Sequence, residues 1–286
     1  MKRLTWEGVR EYWVSHASRV GKVDYDRDPD GLGNVCLAGA PLWLNRYYAR
    51  FQRRVFDYLL GLLPPAQPGA WALDVGCGAG RWSRRLASHG YRTVGIDVQE
   101  DLIRDDSKRY PRITFVCTSI QDYVPSQTFH LICSVTVIQH VPFEEQKVVL
   151  RRLRGLAVSG GHLIALENVR DQKADVFANS EAEWQEKFRE AGFVAIAARH
   201  YDYSPFLRAK AWLGKRLRKD SELSMVEIKR RSRAGPGPRW GQRFISGGKT
   251  AATGVCVALD SLIEPVCLAL TPSFSGRHCG FLLKAV

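Results

Sequence analysis

A chain of 286 residues is long enough for one large domain, alone or with an elaborated cap, and 45% hydrophobic with 25% charged residues excludes a disordered or fibrous chain. The formal charge of +13 is local: between Pro205 and Thr250 thirteen Lys or Arg face three acids, a net of +10, leaving +3 for the other 240 residues. Seven cysteines with no Cys-x-x-Cys pair argue against a disulfide framework or a structural zinc site, and for a reducing cytoplasm.

Met1 to Glu7 is basic but has no apolar run after it, so no signal peptide is expected. Trp6 to Val20 can form a helix, with Val9, Trp13 and Ala17 at helical spacing. Asp24 to Gly33 is a loop by composition. Leu44 to Leu62 is a clearer helix, carrying Tyr48, Phe51, Val55, Leu59 and Leu62 on one face and ended by Pro64-Pro65.

From Trp71 onward strand and helix signals alternate, which predicts a mostly parallel sheet. The strands are expected at Trp71–Val75, Arg92–Asp97, Ile113–Cys117, Phe129–Val135, His162–Leu166 and Phe193–Ala198. Helices are expected from Arg81, over Glu145–Leu156 and over Glu181–Ala191, with a turn at Ser159-Gly160-Gly161. The first strand runs into Asp74-Val75-Gly76-Cys77-Gly78-Ala79-Gly80-Arg81, where three glycines at alternate positions let the backbone turn sharply and lie against a ligand. Asp97 follows Asp74 by 23 residues at the end of the second strand, where a carboxylate can accept both hydroxyls of a ribose.

This Gly-x-Gly-x-Gly turn resembles the first motif of the class I S-adenosylmethionine (SAM)-dependent methyltransferases, a family with a doubly wound, seven-stranded α/β sheet of Rossmann-like form. The resemblance spans roughly residues 69–200. It implies SAM as cofactor, held by Asp74, Gly76, Cys77, Gly78, Gly80 and Arg81, with Asp97 and Val98 at the ribose. Thr118-Ser119-Ile120-Gln121 is similar to the adenine-contacting segment, with Ile120 packing on the ring. Many members have an acid where Ser119 aligns, so a hydroxyl or backbone oxygen stands in here. Helices before the first motif commonly cover the cofactor in this family, and the last apolar run, Cys279 to Val286, matches its antiparallel seventh strand.

The resemblance therefore divides the chain into a helical cover at 1–66, a SAM-binding core at 67–204, a basic insertion at 205–278 and a last core strand at 279–286.

The fourth strand continues Val135-Thr136-Val137-Ile138-Gln139-His140, and in similar small-molecule methyltransferases this stretch borders cofactor and acceptor. His140 is either a general base, since an imidazole takes protons near neutral pH, or a structural histidine beside the cofactor. Glu167 and Asn168 end the fifth strand and are expected to orient the acceptor, because an unpaired polar pair in a core would be costly. No metal is expected, as His140, Asp122 and Glu167 make no ligand spacing.

The implied reaction is methyl transfer to an oxygen of a small molecule or glycan. N-methylation of an amine or peptide N-terminus, and a non-catalytic SAM-binding protein, are the other readings. Tyr201 and Tyr203 mark a pocket edge or ordinary packing. The basic insertion is either solvated surface, a site for a phosphorylated or carrier-linked acceptor, or a peripheral contact with anionic membrane. Nucleic acid ranks last, since the chain carries no recognised RNA-binding module.

Overall fold

A computed structural model describes residues 5–15, 23–36, 40–171, 175–202, 204–217, 251–263 and 276–286. Seven strands form one sheet: β1 (Trp71–Val75), β2 (Arg92–Asp97), β3 (Thr114–Cys117), β4 (Phe129–Val135), β5 (Ala157–Asn168), β6 (Phe193–Tyr201) and β7 (His278–Ala285). Their order is β3-β2-β1-β4-β5-β7-β6. The pairings from β3 through β5 are parallel, whereas β7 is antiparallel to both β5 and β6. This is the Rossmann-like sheet the motif implied. Its strand order reverses between β1 and β4, and ligands of open α/β sheets sit outside the carboxyl ends of the strands at such a point.

Apolar residues of β1, β2, β4, β5 and β7 and the inner faces of the helices make one continuous core. Among the described residues the helices of the sheet unit are α1 (Trp6–Val14), α2 (Leu32–Val35), α3 (Leu42–Gly61), α4 (Arg81–Ser88), α5 (Glu100–Arg109), α6 (Phe143–Leu156) and α7 (Glu181–Glu190). On α3, Phe51, Val55, Phe56 and Leu59 are buried against β5, β6 and β7. The approach is close: a Cβ on Gly280 of β7 would lie 2.5 Å from Val55 Cγ1. Phe56 also stacks on Trp82 of α4, ring centroids 4.3 Å apart. Ser180 caps α7 in a reciprocal box with Glu183, each side chain satisfying the other's backbone N–H.

Two sequence expectations need correction here. Ser159-Gly160-Gly161 is no turn between elements but part of β5, where a register shift against β4 and φ of +74° at Gly160 mark an irregular strand start. Leu32 and Gly33, the end of the expected loop, open the helical turn Leu32–Val35. The first helix ends at Val14 with Ser15 as its cap, and its expected continuation to Val20 lies outside the described residues.

The chain separates into two compact units, one of residues 3–201 with 277–286, the other of 202–276 together with 1–2. In the inserted unit α8 (Pro205–Leu217) runs beside a helix over residues 251–263, here α9. Asp260 of α9 is fully buried and accepts the backbone N–H groups of Phe206 at 2.9 Å and Leu207 at 3.1 Å. It thereby caps α8 from outside, satisfying donors that a helix start leaves open. Lys210 donates to Thr253 farther along the pair.

Candidate functional site

The glycine turn joins β1 to α4, with φ of +67°, +54° and +65° at Gly76, Gly78 and Gly80. A Cβ on Gly76 would come within 2.4 Å of Val137, and one on Gly78 within 2.8 Å of Val35 on α2. Backbone and neighbours both demand glycine at these two positions. Beneath the turn, Asp74 accepts from Ser83 Oγ at 2.6 Å and from the Cys133 thiol at 3.2 Å, tying β1 to α4 and β4. Burial pushes its carboxyl up to about 6. Asp74 and Gly80 support the cradle from below and are not among the residues that line the cavity above it.

The cavity opens at the carboxyl ends of β1, β2 and β4. Gly76, Cys77, Gly78, Arg81, Asp97, Val98, Ser119, Ile120, Gln121, Val135 and His140 all line it, so most of the residues singled out by sequence converge on one place. Asp97 Oδ2 accepts from Gly78 N and Oδ1 from Gln99 N, both at 2.9 Å. Burial raises its carboxyl, and these backbone donors pull the other way. The Ser119 hydroxyl donates to Asp122 at 2.7 Å, so a carboxylate reaches this position from three residues downstream. Thr136, directly after β4, holds φ of +58°, a strained conformation for a β-branched residue at the cavity wall.

His140 ends a 3₁₀ turn, Ile138–His140, that follows β4. Its Nδ1 lies 2.6 Å from the carbonyl oxygen of Asp175. A carbonyl only accepts, so Nδ1 carries the proton and Nε2 is the acceptor side of the ring. The ring also meets Trp13 of α1 edge-on, centroids 5.1 Å apart.

Glu167 and Asn168, expected to orient an acceptor, are not among the residues that line the cavity. Glu167 is fully buried and accepts from Ile138 N at 3.2 Å, Gln139 N at 2.9 Å and Ser134 Oγ at 3.3 Å. Burial lifts its carboxyl to about 8. Asn168 Oδ1 accepts from Arg170 N and Asp171 N, and its own N–H donates to Gln139. The pair thus holds the His140 turn and the exit of β5 by hydrogen bonds, satisfying their burial without a ligand. Tyr201 is buried against His278 and is absent from the cavity wall, while Tyr203 lies outside the described residues.

Several wall residues were not legible in the sequence. Trp6, Val9, Arg10 and Trp13 of α1 cover one side, and Gln52 of α3 accepts from the Arg81 guanidinium at 2.6 Å. Burial pulls the Arg81 guanidinium down from its ordinary value, and its carbon sits 4.3 Å from the centroid of the Trp82 ring. Gln99 Oε1 and both amide atoms of Gln121 are buried with no hydrogen-bond partner among the described residues, and both side chains line the cavity. Orphaned buried amides beside a glycine cradle and a strand-end carboxylate fit a ligand that brings an adenine edge and ribose hydroxyls. Away from the cavity, Glu181, His200 and Cys279 bring three ligand-type atoms within 4.8 Å of one another, with His200 and Glu181 paired at 2.7 Å. No spacing in the sequence announced this trio.

Comparison with known proteins agrees with that donor set. Residues 72–161 match the family model described as a methyltransferase domain. A ubiquinone biosynthesis O-methyltransferase of Coxiella burnetii is 30% identical over 146 residues, 49% of this chain and 58% of that protein. Nodulation protein S of Rhizobium tropici is 30% identical over 118 residues, 40% and 50% of the two chains. The chain therefore spans about half the length of the curated relatives it matches. Among solved structures, the [4+2]-cyclase SpnF aligns over 100% of this chain and 97% of its own, with a TM-score of 0.55 and 16% identity, a likeness of fold alone. No helix among the described residues is long and apolar enough to cross a membrane.

Proposed function

We propose, from the premise that residues 72–161 are a methyltransferase domain of the class I, SAM-dependent kind, that this chain transfers a methyl group to an oxygen of a small molecule or glycan. Bound SAM supplies an already activated methyl group on its sulfonium, so the protein's work is to bind, align and exclude water. Gly76, Cys77 and Gly78 offer a backbone surface without side chains in the way, and Asp97 and Gln99 offer acceptors for ribose hydroxyls. Gln121 and Ile120 offer an amide and an apolar face to the adenine. Arg81, held by Gln52, presents a cation toward the carboxylate end of the ligand.

The oxygen preference rests on one observation, the Nδ1–H of His140 donating to the Asp175 carbonyl. It leaves Nε2 as the acceptor side of the ring, 3.4 Å from the Gln139 amide nitrogen, and an imidazole on the cavity wall is the kind of base a hydroxyl acceptor would require. A neutral amine would need no such base. Relatives named for O-methylation in quinone biosynthesis favour the same reading. The fold by itself does not, since a cyclase shares it.

Incubating the protein with methyl-labelled SAM and matched phenol, sugar-hydroxyl and amine acceptors tests the proposal. Label transfer to a hydroxyl acceptor supports it, transfer to amines only replaces it by N-methylation, and binding of SAM without turnover on any acceptor overturns it.

A further inference from the structure

The outer edge of the sheet holds a polar cluster that the cavity does not use. The pairing of β6 with β7 sets His200 directly opposite Cys279, so their side chains leave the sheet on the same face. That face is the one α7 covers: Phe281, two residues on from Cys279, packs edge-on against Phe188 of α7. Glu181, the first residue of α7, meets the pair with its Oε2 2.7 Å from His200 Nε2. One ligand-type atom from each of the three residues lies within 4.8 Å of the others. None of the three lines the cavity.

The trio offers more than an ion pair. A carboxylate and an imidazole need no thiol between them, yet Cys279 brings a fully buried one to their side. His200 Nδ1 is buried with no hydrogen-bond partner among the described residues, so the ring is anchored on one side only. Buried ring nitrogens ordinarily find partners. Thiolate, imidazole and carboxylate together are a donor set for Zn²⁺, with sulfur at ~2.3 Å and nitrogen or oxygen at ~2.0–2.2 Å in a tetrahedron. Such a tetrahedron holds its ligand atoms roughly 3.3–3.6 Å apart, within reach of side-chain rotation from the present spread. Mg²⁺ and Ca²⁺ are poor matches, because they prefer oxygen donors throughout.

Access is graded in the same sense. The Cys279 sulfur lies at the bottom, the His200 side chain is 15% exposed and that of Glu181 37%. An ion therefore enters from the Glu181 side and keeps one position there for water. Gln185 donates to the other oxygen of Glu181 at 3.0 Å, the kind of outer hydrogen bond that orients a ligating carboxylate.

We propose that Glu181, His200 and Cys279 bind one Zn²⁺ ion at the β6–β7 edge, with water as the fourth ligand. The Cys279 thiol gives its proton to solvent as the S–Zn bond forms, while the carboxylate and the neutral imidazole bind through lone pairs. The ion joins the start of α7 to the last two strands of the sheet order, and its binding stabilises that edge. This inference stands independently of the reaction assigned to the cavity.

Titrating the chelator-treated full chain with Zn²⁺ by calorimetry, and with Co²⁺ as a spectroscopic stand-in, tests it. One ion per chain is expected, with the near-ultraviolet band of a Co²⁺–thiolate bond and the strong visible bands of a tetrahedral site. Cys279→Ser should abolish the thiolate band. His200→Gln should weaken Zn²⁺ binding by at least roughly a hundredfold, the upper end for losing even an outer partner of a ligand. That variant keeps all seven cysteines, so it separates this site from binding at other thiols. Excess Zn²⁺ should raise the melting temperature of the unaltered chain and leave that of His200→Gln unmoved. Circular dichroism and SAM affinity report that the variants fold; should Cys279→Ser not fold, the part-exposed His200→Gln still decides. No saturable Zn²⁺ binding, a Co²⁺ spectrum without a thiolate band, or binding that His200→Gln leaves unchanged overturns the proposal.

Discussion

Asp97 Oδ2 and the backbone N–H of Gly78 are 2.9 Å apart, so the end of β2 and the glycine turn after β1 are a single hydrogen-bonded object. The acid that would meet the ribose also fixes the loop that would meet the rest of the cofactor. Losing it removes both effects at once. Asp97→Ala should therefore cost on the order of 2–3 kcal/mol of SAM affinity, the scale of charge-assisted hydrogen bonds, measured by calorimetry. Asp97→Asn should lose nearly as much, because its NH₂ group must face a backbone donor. A loss under about 0.5 kcal/mol, typical of ordinary surface changes, would place Asp97 outside the binding site.

Gly78→Val should yield a folded protein that no longer binds SAM. The new side chain is forced into φ of +54° and directed at Val35, which itself lines the cavity. Calorimetry showing unchanged affinity in the folded variant would remove the cradle from the proposal.

His140→Ala should lower kcat by about a hundredfold to ten-thousandfold, the range for removing a general base, with SAM affinity nearly unchanged. The acidic limb of the pH–rate profile should flatten with it. Weakened SAM binding at intact kcat would instead make His140 a structural residue, held between Trp13 and the Asp175 carbonyl.

Glu167 links stability to pH. Its buried carboxyl sits near 8 in the folded chain against an ordinary 4.5, so between those values the folded state keeps a proton that the unfolded state releases. Stability then falls as pH rises, and the loss is complete above the folded value. Asp74 near 6 and Asp106 near 7 act with the same sign at lower pH, leaving the window from about 7 to 8 to Glu167. Denaturant unfolding should show stability decreasing from pH 5 to pH 8 by on the order of a few kcal/mol, and Glu167→Gln should flatten the upper part of that decline. Parallel curves for the two proteins would mean that Glu167 is ionised within the fold.

The sheet and the cradle were legible because their signals are local. β1, β2 and β4 are short apolar runs bounded by small, polar or charged residues, and the alternate glycines announce the turn by themselves. The partners of Glu167 and Asn168, the N–H groups of Ile138, Gln139, Arg170 and Asp171, were not legible because they belong to neighbouring turns. A strand-end acid looks the same in sequence whether it serves a substrate or a backbone. Gln52 and Trp13 reach the cavity only through the packing of α3 and α1, which no spacing within those helices encodes. The irregular start of β5 was hidden for a related reason: Gly160 and Gly161 fall in the register shift between the Ala157 and His162 pairings with β4, a feature that only the neighbouring strand defines.

The place of β7 has a consequence for how this protein comes into being. Strands β5 and β6 are both made before it, and each lacks the neighbour that β7 supplies, which runs between them along its full length. While the ribosome is still translating residues 202–276, two unpaired edges stand open at the side of a nearly finished sheet. Open edges of this kind are templates for the wrong strand, from another chain or from a nascent neighbour. The long insertion thus sets a delay between the making of the slot and the arrival of the strand that fills it. A chaperone that binds extended apolar segments would find its natural hold there, and slow or interrupted translation across the insertion would favour aggregation over closure.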